Sequence, residues 1–288
     1  MNEAGSPLAH VIGDPIAQSK SPLIHSFWLR QMRLAGEYDR HLVEPGDLAS
    51  YLTEWRNRPR WAGCNVTMPH KQAISPLLDG LDPLAQALGA VNTVVRGTEG
   101  ALVGHNTDAA GFLEPLAPLL ERRHLYRMAR ILGTGGAARA IVAALADKGF
   151  TLVLAGRDPG KARALLDELA PAGEHHVVAL DHFAAPTDFA FDDREGCLDL
   201  VVNATPLGMT GHPPLAFDWS HAPPGAIAYD IVTDPVDTPF LQAARARGHP
   251  TVDGLAMLVG QAASAFELLF GPTPLRTRDD QLVAALTR

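Results

Sequence analysis

The stretch ARILGTGGAARAIVAALADKGF, residues 129–150, sets Gly133, Gly135 and Ala138 between an apolar strand and a helix of small residues. In this Gly-x-Gly-x-x-Ala turn, Gly133 permits the tight bend and Gly135 lets the backbone approach a pyrophosphate. Ala138 lets the helix pack close to the strand. The phosphates then lie on the helix N-terminus, so the chemistry expected is that of a dinucleotide. A glycine-rich turn also closes ordinary strand-to-helix corners, but the following strand TLVLAG gives the context a cofactor unit needs. That strand ends in Gly156-Arg157-Asp158-Pro159-Gly160-Lys161. Arg157 and Lys161 can hold a 2′-phosphate, and Arg157 can also stack on adenine. Asp158 points toward the ribose hydroxyl of NAD, unless it caps the helix beginning near Pro159, which is the reading preferred here. NADP is therefore expected, with NAD as the alternative.

A second chemical signal is the pair Ser19 and Ser21 in GDPIAQSKSP, residues 13–22. Ser21 followed by Pro22 predicts a helix through PLIHSFWLRQMRLAG with Ser21 as its N-cap. Two readings stay open: Ser21 only caps the helix and Ser19 is a loop residue, or the two hydroxyls beside the helix N-terminus bind a carboxylate or a polyol. Farther along, GCNVTMPHK offers Thr67 and Lys71, GAVNTVV offers Asn92, and GHNTDAAG offers Asp108. Taken alone, a loop lysine reads as solvated surface.

The elements that must position these residues alternate between strand and helix. Strands are predicted at HVIG, around GCNVTM, and at AVNTVVR, ARIL, TLVLAG, LDLVVNAT and AIAYDIV, with amphipathic helices between most of them. This is the pattern of α/β architecture with mostly parallel sheets. The character changes around Asp108 to Leu120 and again near GHPTVDG. A domain boundary is expected at each, so that residues 109–251 form the nucleotide-binding unit and residues 1–108 and 252–288 lie outside it; the resemblance described below implies that these two segments make one discontinuous substrate domain.

Composition narrows the class. The 288 residues are 47% hydrophobic and 19% charged, as in an ordered globular protein. A net charge of -8 without any basic run gives nucleic acid no electrostatic handle. The N-terminus lacks a signal-peptide pattern and no apolar run approaches membrane-spanning length, so a cytoplasmic protein without membrane contact is expected. Cys64 and Cys197 fit no ligand spacing, so no metal is expected and both are read as buried thiols. Oligomeric state is not encoded in an obvious way, and a monomer or homodimer is the expectation.

Seven ordered motifs, SKSP, NVTMPHK, GAVNT, GHNTDAAG, LGTGGAARA, NATPLGM and GLAMLVGQAASAF, make the chain resemble shikimate dehydrogenases from end to end. The resemblance implies an N-terminal α/β domain, a Rossmann-type NADP domain and C-terminal helices that return to the first domain. It also implies NADP-dependent interconversion of 3-dehydroshikimate and shikimate, in aromatic amino-acid precursor synthesis. By position, Ser19 and Ser21 match the serines that hold the substrate carboxylate. Thr67, Asn92 and Gln261 match substrate-binding positions around the ring hydroxyls, and Lys71 and Asp108 match the catalytic pair. Gly133, Thr134, Gly135, Gly136 and Ala137 match the pyrophosphate loop. Thr205, Met209, Gly254 and Met257 match positions near the cofactor, Met257 beside the nicotinamide, and Gly156, Arg157, Asp158, Lys161 and Ile231 are counted with them.

The implied chemistry is self-consistent. Oxidising a secondary alcohol sends a hydride to the cofactor and a proton to the protein, so a group must take that proton and return it in reverse. Lys71 is assigned as principal acid/base and Asp108 as its orienting partner, although two coupled groups titrate as a unit.

Two departures from the family pattern bear on specificity. Thr233 stands where a tyrosine is usual in Asp230-Ile231-Val232-Thr233-Asp234-Pro235, and Gly156-Arg157-Asp158 replaces the usual Asn-Arg-Thr. Thr233 is kept as a substrate-binding position whose shorter hydroxyl needs water or a loop shift to reach its partner. The alternatives are an NAD-dependent quinate/shikimate dehydrogenase and, from another class, a ligand-binding module without turnover. Retention of Lys71 and Asp108 argues against the latter. Of the twelve histidines, His25, His70 and His105 lie in motifs. None has a carboxylate at a telling spacing, so they are read as structural or rim residues. The acidic DFAFDDREG segment is read as a solvated loop.

Overall fold

The computed structural model describes residues 5–191 and 194–287; Asp192 and Asp193 of the acidic segment lie outside the described residues. The chain divides into two compact units, Met1–Gly111 with Val259–Arg288, and Phe112–Leu258. The changeovers fall inside helices, a little C-terminal of the sequence-based boundaries.

In the first unit, strands β1 (Leu8–Gly13), β2 (Glu37–Leu42), β3 (Trp61–Val66), β4 (Gly80–Leu81), β5 (Thr93–Arg96) and β6 (Leu102–His105) form one sheet in the order β2-β1-β3-β5-β6-β4. The pairs β1–β2, β1–β3 and β4–β6 are parallel, whereas β5 runs antiparallel to both β3 and β6. Helices α1 (Ser21–Met32), α2 (Leu48–Arg56) and α3 (Pro83–Leu88) alternate with the strands, and α4 (Asp108–Leu113) follows β6. Ile12, Leu52, Trp61, Val66, Ile74 and Val94 anchor its largest core cluster. Each such burial contributes about 1.5–3 kcal/mol.

Strand β2, EYDRHL, has no sequence signature, because it is an edge strand with only Tyr38 buried. Helix α1 departs from expectation at its first residue. Lys20, not Ser21, is the N-cap and its side chain makes no capping hydrogen bond, while Ser19 Oγ accepts the Ser21 N–H at 3.4 Å. Leu23 and Ile24 N–H groups bond to the Lys20 carbonyl, which starts the helix one residue early and relieves Ser21 of the capping task.

In the second unit come α5 (Ala117–Leu120), β7 (Tyr126–Leu132), α6 (Gly136–Asp147), β8 (Thr151–Gly156), α7 (Pro159–Leu169), β9 (His176–Ala179), β10 (Cys197–Asn203), β11 (Ile227–Asp230), α8 (Pro239–Ala246) and β12 (Thr251–Val252). The six strands are all parallel, in the order β12-β11-β10-β7-β8-β9. That is the doubly wound order of a dinucleotide-binding fold. Both sheet faces are covered, as such a sheet requires. Ile131, Leu154 and Val202 pack on one side with Ile141 and Leu165, while Leu132, Ala155 and Val201 pack on the other with Trp219 and Phe240. Cys64 is buried as expected, but Cys197, at the first position of β10, is only half-buried. Helices α9 (Gly254–Phe270) and α10 (Asp279–Leu286) complete the chain. Among the described residues no helix is long and apolar enough to cross a membrane, and no cluster of three or more metal-ligating side chains occurs.

Candidate active site

In the first unit the chain brings Lys71, Asn92 and Asp108 together from three separate segments. Lys71 follows β3 by a short turn, Asn92 immediately precedes β5, and Asp108 opens α4 after β6. The antiparallel β3–β5–β6 pairing places the ends of these strands side by side, and the Asn92 N–H bonds to the His105 carbonyl. Lys71 Nζ lies 2.5 Å from Asp108 Oδ2. Asn92 Nδ2 donates to Asp108 Oδ1 at 2.8 Å. The Asp108 carboxylate is 5% exposed and the Lys71 side chain 16%, so the ion pair is shielded from water while its ammonium keeps an outlet. Asn106 Oδ1 accepts the Asp108 N–H at 3.0 Å and thereby ends the strand and opens the helix.

Gln261 on α9 meets the pair's surroundings through Thr107, whose Oγ1 lies 3.5 Å from Gln261 Oε1. Thr67 continues β3, its N–H bonded to the Ile12 carbonyl. Ser19 and Ser21 flank Lys20 at the start of α1. Arg40 donates from Nε to the Ser19 carbonyl at 2.9 Å, and Lys20 Nζ donates to the Leu286 carbonyl at 2.7 Å. No described hydrogen bond joins either serine to Lys71 or Asp108. Thr233 is a half-buried residue of the second unit.

The motif histidines need one correction. His70 is buried with Nε2 on the Val43 carbonyl, and His25 is fully buried against Tyr38 with both ring nitrogens lacking hydrogen-bond partners. Burial lowers the His25 pKa to about 3. His105, however, does have a carboxylate partner. Its Nδ1 lies 2.9 Å from Asp82 Oδ2, because the parallel β4–β6 pair aligns residues distant in sequence.

In the second unit the loop from Gly133 to Ala137 joins β7 to α6. Gly133 has φ +119, and a Cβ there would come within 2.7 Å of the Ala204 carbonyl oxygen, so glycine is required. At Gly135 a Cβ would meet nothing within 4 Å, and no side chain caps α6. The first N–H groups of α6, from Gly136 onward, thus face a surface where a pyrophosphate can lie close to the backbone, and the site fits a dinucleotide. Gly156 closes β8 against Thr134 of the same loop. Arg157 and Lys161 are exposed and form none of the described ion pairs. Asp158 caps α7, its Oδ1 accepting from Gly160 N–H at 2.9 Å and Lys161 N–H at 3.2 Å. The carboxylate that argued for NAD is therefore engaged by the helix.

Thr205 is fixed by Asn203, to whose Oδ1 it donates from Oγ1 at 2.7 Å. Asn203 in turn donates to Asp230, which is fully buried and bonded to Thr238 at 2.7 Å. Burial raises the Asp230 pKa, while the hydrogen bonds from Thr238, Val232 and Asn203 oppose that rise. Ile231 N–H bonds to the Asn203 carbonyl, and Gly254 sits where a Cβ would lie 2.2 Å from the Val232 oxygen. Met209 is half-buried, and Met257 is 6% exposed within the core of this unit.

Residues 11–94 match the description of a shikimate dehydrogenase substrate binding domain. A shikimate dehydrogenase (NADP(+)) of Sphingopyxis alaskensis is 50% identical over 283 residues, covering 98% of this chain and 97% of that protein. The chain belongs to the shikimate dehydrogenase family. A solved shikimate 5-dehydrogenase of Thermus thermophilus, in complex with NADP(H) and shikimate, aligns with a TM-score of 0.79 and 34% identity, over 97% of this chain and 99% of that one. Quinate dehydrogenase of Corynebacterium glutamicum, in complex with NAD, aligns with a TM-score of 0.81 and 34% identity, over 98% and 99% of the two chains.

As a shikimate dehydrogenase family member, the chain carries its Lys–Asp pair inside a larger polar assembly than its motifs announce. Asn65, Thr93, Asn106 and Thr107 all contribute hydrogen bonds around it and all are buried. The signal for Asn65, Thr93, Asn106 and Thr107 was their place in the motifs NVTMPHK, GAVNT and GHNTDAAG. Tyr38, which donates to Asn65 Oδ1 at 2.6 Å, comes from the edge strand and had none.

Proposed function

We propose that the chain catalyses the NADP-dependent reversible reduction of 3-dehydroshikimate to shikimate, with Lys71 and Asp108 as the proton-handling pair. The observation that carries this reading is the shielded Lys71–Asp108 contact, backed by Asn92, in a member of the shikimate dehydrogenase family. A nicotinamide cofactor held by the residues assigned below would supply the hydride in one direction and receive it in the other. In the direction of reduction, the Lys71 ammonium donates a hydrogen bond to the carbonyl oxygen and stabilises the negative charge that develops there. It then gives up its proton to that oxygen. In the reverse direction the neutral amine takes the proton of the alcohol. Asp108 holds Lys71 by one carboxylate oxygen, while Asn92 holds the other, which fixes the direction in which Nζ points.

Ser19 and Ser21 are assigned to the substrate carboxylate, Thr67, Asn92 and Gln261 to the ring hydroxyls, and Thr233 to a further contact with substrate. Support for the serines is that Ser21 is not consumed as a helix cap. Gly133 to Ala137 are assigned to the pyrophosphate, and Arg157 and Lys161 to the 2′-phosphate, as exposed cations beside a loop whose own carboxylate is engaged in capping. Gly156, Thr205, Met209, Ile231, Gly254 and Met257 complete the cofactor surface. The substrate domain is read as the first unit and the NADP domain as the second. A monomer or homodimer is the state proposed. A cytoplasmic location is consistent with the free thiols Cys64 and Cys197.

Initial-rate measurements with NADP+ and NAD+, each against shikimate and quinate, test this function. Strong preference for NADP+ with shikimate is expected; comparable or faster rates with NAD+ or quinate would replace it with the dual-substrate activity.

A further inference from the structure

The Asp108 carboxylate sits at the end of a buried chain of hydrogen bonds that begins on β2. Tyr38 O–H donates to Asn65 Oδ1 at 2.6 Å. Asn65 Nδ2 donates to Thr93 Oγ1 at 3.0 Å, and Thr93 Oγ1 donates to Asn92 Oδ1 at 3.0 Å. Asn92 Nδ2 then donates to Asp108 Oδ1 at 2.8 Å. Tyr38, Asn65, Thr93, Asn92 and Asp108 are between 0% and 6% exposed, so water does not substitute for any link.

The direction of donation is forced along the whole chain. Asn65 Nδ2 also donates to the Asn92 backbone carbonyl at 3.3 Å, which can only accept, so the Asn65 nitrogen faces Thr93 and its oxygen takes the Tyr38 proton. Because Thr93 Oγ1 already accepts an N–H, its single proton goes to Asn92 Oδ1. That oxygen also accepts the Thr107 N–H at 2.8 Å. With two donors on its oxygen, the Asn92 amide cannot turn over, and its NH2 group stays on Asp108. Turned over, it would set an amide oxygen against a buried carboxylate, an arrangement that costs free energy on both groups.

The structure assigns Tyr38, Asn65 and Thr93 as positioning residues that act through the Asn92 amide to hold Asp108, and through it Lys71, in the orientation for proton transfer. This rests on the reading of Lys71 and Asp108 as the catalytic pair. None of the three needs to touch the reacting atoms for the assignment to hold. Their effect is on how often the ammonium is correctly aimed, which is a contribution to kcat.

The test compares Thr93→Val, Thr93→Ser and Tyr38→Phe, with kcat expressed per shikimate-binding site counted by equilibrium titration, so that misfolded molecules do not enter. Valine keeps the shape of threonine but neither donates nor accepts. Thr93→Val is expected to lose roughly tenfold or more in kcat, with the KM for NADP+ unchanged. Thr93→Ser, which keeps the hydroxyl, is expected to recover most of that loss. Tyr38→Phe is expected to lose less than Thr93→Val, because Thr107 still holds the Asn92 oxygen, and it supplies a second measurement if the valine variant does not fold. Wild-type kcat per site in Thr93→Val or, should that variant not fold, in Tyr38→Phe would overturn the assignment, as would equal losses in the valine and serine variants. Lys71→Ala separates the two levels of the argument. If it keeps full turnover, the catalytic reading and the assignment fail together. If it is silent while Thr93→Val turns over normally, only the assignment fails.

Discussion

Asn92 and Asp108 are joined at 2.8 Å, amide nitrogen to carboxylate oxygen, with both side chains almost wholly buried. The contact leaves the second carboxylate oxygen to Lys71, whose side chain stays 16% exposed. Removing the amide with Asn92→Ala is therefore expected to damage catalysis and stability together. We expect kcat/KM to fall by about 100-fold or more and unfolding stability by about 1–3 kcal/mol, since the Thr107 N–H also loses its acceptor. Steady-state kinetics and urea unfolding check the two effects separately.

On the proposed reading cofactor choice rests on Arg157, because Asp158 is occupied as the cap of α7. Arg157→Ala is expected to raise the KM for NADP+ by roughly tenfold or more and to change the KM for NAD+ little. Asp158→Ala, by contrast, is expected to lower stability by about 1 kcal/mol through loss of the cap. A gain in NAD+ use by Arg157→Ala equal to its loss with NADP+ would assign the arginine a repulsive role toward NAD+ instead.

The family resemblance implies a tyrosine where this chain has Thr233, the position proposed for a further contact with substrate. Thr233→Tyr is expected to lower the KM for shikimate by a few-fold and leave the KM for NADP+ unchanged, because the longer side chain delivers its hydroxyl without a bridging water. Competition kinetics with quinate check the same variant for a change in substrate choice.

Gly254 lies where a Cβ would meet the Val232 oxygen at 2.2 Å and the Ile231 backbone at 2.7 Å. Gly254→Ala must push the start of α9 away from the loop after β11. A loss of about 1–3 kcal/mol is expected in chemical unfolding.

Acid should destabilise the first unit through His25. Its ring is fully buried without hydrogen-bond partners, and burial lowers its pKa from 6.5 to about 3. The neutral ring's stabilisation is fully present above pH 6.5. As the pH falls from there toward 3, the unfolded chain binds a proton that the folded chain refuses, and stability falls by about 1.4 kcal/mol per pH unit. His10, also buried and lowered to about 4, adds in the same direction. Urea unfolding at about pH 7.5 and about pH 5 measures the slope, and His25→Phe, which stacks on Tyr38 without titrating, should flatten it.

The second unit was legible in the sequence because a parallel sheet covered on both faces is written as short apolar runs separated by helices, and β7, β8, β10 and β11 lie where those runs occur. The first unit was less so. β2 is polar at an edge, and β4 and β6 are short, so neither carried a period to read. The site shows the same division. Lys71, Asn92, Thr93 and Asp108 lie in motifs, whereas Tyr38 matters through Asn65 on another strand, a relationship that sheet register creates and local sequence does not contain. The α1 cap was misread for a related reason. Ser21 and Pro22 have the right types for a cap and first turn, but the preceding turn brings Lys20 into helical conformation first.

The most direct measurement is turnover by Lys71→Ala alongside its equilibrium binding of shikimate. The account predicts a fall in kcat of about a thousandfold, with shikimate bound within a few-fold of wild type. Turnover close to wild type would contradict it and move the proton transfer to another group.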